Sequence, residues 1–161
     1  MYKFRLSTEE ETAERLRKGS CHIMAAAAGS EEAFARFYGQ LRTVFGEPQE
    51  NSDDYEAIYS YSVTAEDENG NRLLLEAYHG PSGAAIGGPV VSADEAEKEI
   101  HRNAAMELID LVSSAEPSDY EWEGVYEDVP VNIKYVVKDG KVRTESSFPE
   151  GFEDFDPEDL M

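Results

Sequence analysis

The chain predicts an α+β fold in a single domain: a mostly antiparallel β-sheet of about five to six strands, with two main helices (31–45 and 93–115) and a short N-terminal helix (8–18) packed on one face. Three observations carry this expectation. Apolar residues recur with a period of two in some segments and close to 3.6 in others, so strands and helices are both present. Helical segments fall between pairs of adjacent strands joined by short turns, the arrangement that gives an antiparallel sheet with helices laid against it. The length of 161 residues, with 40% apolar and 11% aromatic content, suits one domain of 1–148 followed by an acidic, Phe-containing tail over 149–161.

Tyr2, Phe4 and Leu6 alternate with Lys3 and Arg5 as in a half-buried strand. Ser7 with Glu10 has capping-box spacing, so a helix runs over 8–18 and ends at Gly19. Cys21 to Ala28 reads equally as a buried strand or a helical turn. Ser30 caps the clearest helix, in which Phe34, Phe37, Tyr38, Leu41, Val44 and Phe45 form one stripe before Gly46 and Pro48 stop it. Tyr55, Ala57, Tyr59, Tyr61 and Val63 share a strand face, and the turn at 68–71 returns the chain through Leu73, Leu75 and Ala77. Ser92 with Glu95 is a second capping-box pattern, opening a helix whose inward side carries Ala96, Ile100, Ala104, Leu108, Leu111 and Ala115. Tyr120, Trp122 and Tyr126 mark a further strand. Val131, Ile133, Tyr135 and Val137 then alternate up to an Asp139-Gly140 turn, from which Val142 to Phe148 returns.

The formal net charge is −21, and the stretches Glu47–Glu68, Glu107–Asp128 and the tail contain no Lys or Arg at all. Such a surface repels a bare phosphate backbone and an anionic membrane, and it attracts basic proteins. No apolar run is long enough to cross a bilayer, and a lone Cys21 fits a reducing compartment, so a cytoplasmic location is expected.

Candidate chemistry is sparse. Cys21 beside His22 does not make a thiolate–imidazole pair on a regular element, since neighbouring side chains diverge. Glu97 and His101 lie one helical turn apart, but with Lys98 and Arg102 alongside they read as a solvated face, and no metal site or cofactor is expected. No Gly-x-Ser-x-Gly or comparable catalytic signature is present. The glycine-rich run over 79–89 is the one segment where backbone could approach a ligand, with His79, Gly80, Ser82, Gly83, Gly87 and Gly88 as its candidate contacts. An interaction surface is expected where aromatic and acidic residues interleave: Tyr55, Tyr59, Tyr61, Trp122 and Tyr126 with Glu121, Glu123 and Asp128, together with Phe152 and Phe155 of the tail.

The expected function is an acidic cytosolic binding domain that sequesters or inhibits a basic protein, such as a nuclease or another nucleic-acid-binding protein, acting as a monomer or homodimer. At the level of class it looks like bacterial immunity and antitoxin proteins. A small-molecule binder or enzyme using the 79–89 run, and a structural homo-oligomer subunit, are the competing readings.

Overall fold

The computed structural model describes residues 1–27, 30–47, 59–80, 83–126 and 131–147; for 80, 83, 124–126, 131–132 and 146–147 it describes the backbone alone. In chain order the elements are β1 (Lys3–Leu6), α1 (Glu9–Lys18), β2 (Cys21–Ala25), α2 (Glu31–Phe45), β3 (Ser60–Glu66), β4 (Arg72–Gly80), β5 (Gly83–Gly88), α3 (Glu95–Ser113), β6 (Tyr120–Tyr126), β7 (Val131–Lys138) and β8 (Lys141–Ser147). The fold is α+β, as the sequence predicts, but the described strands form two antiparallel sheets instead of one. A five-stranded sheet has the order β1-β3-β4-β5-β2, and a three-stranded sheet the order β6-β7-β8.

The five-stranded sheet has two unlike faces, fixed by strand register. Tyr61 faces Ala77, Val63 faces Leu75 and Ala65 faces Leu73, which places the odd-numbered apolar residues of β3 and β4 together. This side joins the core with Ala35, Leu41, Ala104, Leu108 and Val112 of α2 and α3. The opposite side pairs Ser62 with Glu76 and Glu66 with Arg72 and is mostly polar, with Leu74 opposite Thr64 and Tyr78 opposite Ser60. α1 lies on that polar side, so the helices do not all pack on one face. The reason is in its sequence: the residues α1 buries are Glu11 and Arg15, which an apolar core would exclude. Because β1 and β2 are opposite edges of the sheet, α1 connects them as a strap across it.

Helix ends shift by small steps from the expected caps. Thr8, not Ser7, caps α1, with a reciprocal capping box to Glu11, while Ser7 Oγ lies 2.8 Å from Thr64 Oγ1. Asp94, not Ser92, caps α3 and accepts from the Glu97 amide at 2.8 Å. Ile100 and Leu111, expected inward, are 46% and 44% exposed. The buried stripe of α3 is His101, Ala104, Ala105, Leu108 and Val112.

Two turns are formed as their residues require. Asp67 Oδ1 accepts from the amides of Asn69 and Asn71, both at 2.9 Å, between β3 and β4. Asp139 and Gly140 both have positive φ, 53° and 78°, the conformation a tight two-residue hairpin uses between β7 and β8.

The ambiguous Cys21 segment is a strand, and its partner is the glycine-rich run. Residues 83–88 are a strand and not a loop: they form β5, with β4 on one side and β2 on the other. Glycine is required here by crowding: a Cβ on Gly87 would stand 2.8 Å from the Cys21 carbonyl oxygen and 3.1 Å from Tyr78 Cε1. Gly87→Ala is therefore expected to push β2 off its neighbour and cost about 1–3 kcal/mol, read as a lowered urea midpoint.

Candidate interaction surface and the polar groups behind it

The strap α1 is held by ion pairs. Glu11, only 4% exposed, accepts from Arg5 Nη1 at 2.7 Å and from Arg72 Nη1 at 2.7 Å, while Arg5 Nη2 also reaches Glu66 at 3.0 Å. The two guanidinium groups, Arg5 foremost, hold the Glu11 carboxyl well below the usual carboxylate range, and Glu11 in turn holds Arg5 protonated. One turn on, buried Arg15 donates to Glu76 Oε2 at 2.5 Å and to Ser62 Oγ at 3.2 Å. Its Nε, like the Thr12 hydroxyl, is buried without a partner. Sequence periodicity gives no sign of this layer, because burial of charge on a surface helix breaks the apolar-inward pattern.

The aromatic residues expected at an interface are largely internal. Tyr59 and Tyr61 are 1% and 0% exposed, so they form core and not a docking face. Tyr59 lies 4.3 Å from the ring centre of Tyr38, and Tyr61 donates to the Gly46 carbonyl at 2.7 Å. Burial raises the phenol pKa of Tyr59, Tyr61 and Tyr120 above the ordinary value. Trp122 is half-buried, 5.4 Å from Tyr135. Tyr126 is described by its backbone in β6, and Tyr55, Asp128, Phe152, Phe155 and Ser82 lie outside the described residues.

Glu121 and Glu123 are exposed, but not as part of an acidic face. In the register of β6 to β8, Glu123 opposes Lys134, which opposes Glu145, and Glu121 shares a row with Val136 and Arg143. With Lys138 and Lys141 at the turn, the outer face of the three-stranded sheet is close to charge-balanced. Lys134 Nζ sits 3.6 Å from Glu121 Oε1.

His79 is buried where the two sheets meet, not displayed on a loop. Its ring lies parallel to that of Tyr135 on β7, 6.2 Å between centres, and 5.2 Å from Phe34 of α2. Tyr135 donates its hydroxyl hydrogen bond to Glu31 of α2, and Tyr120 donates to the Ala35 carbonyl at 2.6 Å. Helix α2 is thus held between both sheets.

A cluster of exposed acids lies at the start of α3. From Asp94 to Ile100 every residue except Lys98 is exposed, so the first two turns stand clear of the fold with Asp94, Glu95, Glu97 and Glu99 in solvent. The side chain of Glu95 is 92% exposed and that of Glu99 60%. Beside this end runs an open cleft of about 740 Å3, lined by Glu14 and Lys18 of α1, the 70–74 segment, Pro89, Ser92, Glu97 and His101. His101 donates from Nδ1 to the Glu97 carbonyl at 2.7 Å, so this contact is to the backbone of Glu97 and not to its carboxylate. Val91 and Ile100, adjacent in sequence to cleft residues, are 61% and 46% exposed. This protruding end had no aromatic signal, and only its acid count was visible in the sequence.

Among the described residues no group of three or more His, Cys, Asp or Glu side chains is placed to hold a metal ion, and no helix is long and apolar enough to cross a membrane. No protein-family model matches the chain, and no curated protein or solved structure shows significant similarity to it.

Proposed function

We propose that this chain is a cytoplasmic binding protein that engages a basic protein partner through the exposed acidic end of α3 and the cleft beside it. One observation supports the reading above others: at the start of α3 exposed acids outnumber the cations beside them. Arg5, Arg15 and Arg72 are engaged by Glu11, Glu66 and Glu76 under the strap, whereas Asp94, Glu95, Glu97 and Glu99 have Lys98 and Arg102 as their cationic neighbours. The stretches 48–58, 127–130 and 148–161 add twelve acidic residues and no basic one, more than half of the net charge of −21. A field of this sign steers a basic surface toward the molecule, and exposed Val91 and Ile100 give it apolar contacts on arrival. A nuclease or other nucleic-acid-binding protein has the complementary surface, and masking that surface would inhibit it, as immunity and antitoxin proteins do.

The test is kinetic. With a basic partner isolated from native lysate, association is expected to slow by about tenfold or more between low and physiological ionic strength. The paired reversal Glu95→Lys and Glu99→Lys is expected to produce a similar loss at low salt while lowering the unfolding midpoint only slightly, since both sites are exposed. Rates that ignore both salt and the reversal would sink the reading.

A further inference from the structure

We propose that His79 is a proton-sensitive joint between the two sheets, such that adding a proton to its buried ring releases the three-stranded sheet from the five-stranded one. The ring is 1% exposed and touches three separate parts of the fold. It is stacked on Tyr135 of β7 with 2° between planes, set edgewise to Tyr59 at 6.0 Å, and tilted against Phe34 of α2. Its Nδ1 has no hydrogen-bond partner, and neither has the buried Tyr59 hydroxyl. Protonation would therefore place both a charge and an unanswered N–H donor inside an aromatic enclosure at the seam of the molecule.

Among the described residues, the groups placed around the ring are aromatic or apolar. Tyr59 precedes β3, Tyr135 comes from β7, β5 sets Ala84 opposite His79, and α2 contributes apolar Phe34. Glu31 of α2 is engaged by the Tyr135 hydroxyl. Among the described residues no ion pair includes His79. Burial accordingly pushes the imidazole pKa down from 6.5 to about 4. The undocked ring takes up its proton near 6.5 and the docked ring only near 4, so the undocked form binds more protons between these values. Docking is unaffected above the window, weakens as pH falls through it, and changes no further below it.

Amide exchange resolves the two sheets separately. Between pH 7 and 5, protection of the β7 amides, corrected for intrinsic exchange, is expected to fall roughly 20-fold more than that of β3 and β4. In His79→Phe this excess should vanish. An equal fall in both sheets, or the same excess in His79→Phe, would overturn the proposal. Ring NMR of the unmodified protein gives an independent reading should the variant not fold: His79 is expected to remain neutral at pH 5.5, and a native ring already protonated there also overturns it.

Discussion

Replacing Arg15 with alanine is expected to be among the most damaging single changes in this protein, at about 3–5 kcal/mol in urea unfolding at neutral pH. The guanidinium is 4% exposed and its partner Glu76 14% exposed, so removing the cation leaves a carboxylate shut inside the strap interface. Ser60 and Ser62 also point hydrogen-bonding groups into this layer, Ser60 toward Glu76 at 3.2 Å and Ser62 toward Arg15. Their contacts assume a charged pair. The informative control is the double change Arg15→Met with Glu76→Leu, which removes both charges while keeping volume; it is expected to recover most of the loss. If the double variant is as unstable as Arg15→Ala, the cost lies in packing and not in the orphaned charge.

Tyr135→Ala is expected to cost a comparable amount, about 3–5 kcal/mol, for a different reason. This ring is wholly buried, stacks on His79, contacts Trp122 and reaches Glu31 through its hydroxyl, so its removal opens a cavity where α2 and both sheets converge. Tyr135→Phe keeps the ring and removes the hydroxyl, and should cost about 1–3 kcal/mol because the acceptor is a carboxylate. Trp122 is the chain's one tryptophan, and its emission reports on this seam directly. A red shift before the main urea transition in Tyr135→Ala would show the seam opening first; a single transition at the wild-type midpoint would contradict the assignment.

The legible parts of the fold are those where periodicity and turn chemistry agree. The stripe from Phe34 to Leu41 gives α2, alternation from Ile133 to Val137 gives β7, and Asp139-Gly140 gives the hairpin to β8. The strap escaped because its buried side chains are charged, and charge on a helix normally means solvent. The segment 83–88 escaped because its strand is made of small residues selected for the space between β2 and β4, without the β-branched signature of a strand. Capping was misplaced at α1 and α3 because two polar residues compete at each start and only backbone geometry chooses between them. The division into two sheets was hidden since strand patterns specify faces, not neighbours. As for the site, acidity pointed to a basic partner, but tyrosines on strands pointed inward to the core.

The position of α2 between the sheets also governs the order in which the molecule can be made. The groups that anchor its second side, Tyr120 on Ala35 and Tyr135 on Glu31, lie 85 and 104 residues further along the chain. During synthesis α2 must wait with that side bare while the intervening segments leave the ribosome. Closing loops of this length precedes any reward from the contacts they bring together, so this domain should fold slowly for its size, with the C-terminal sheet arriving last. A nascent chain stopped before β6 would display an apolar helix face, which makes the interval before β6 to β8 emerge the period of greatest exposure to aggregation.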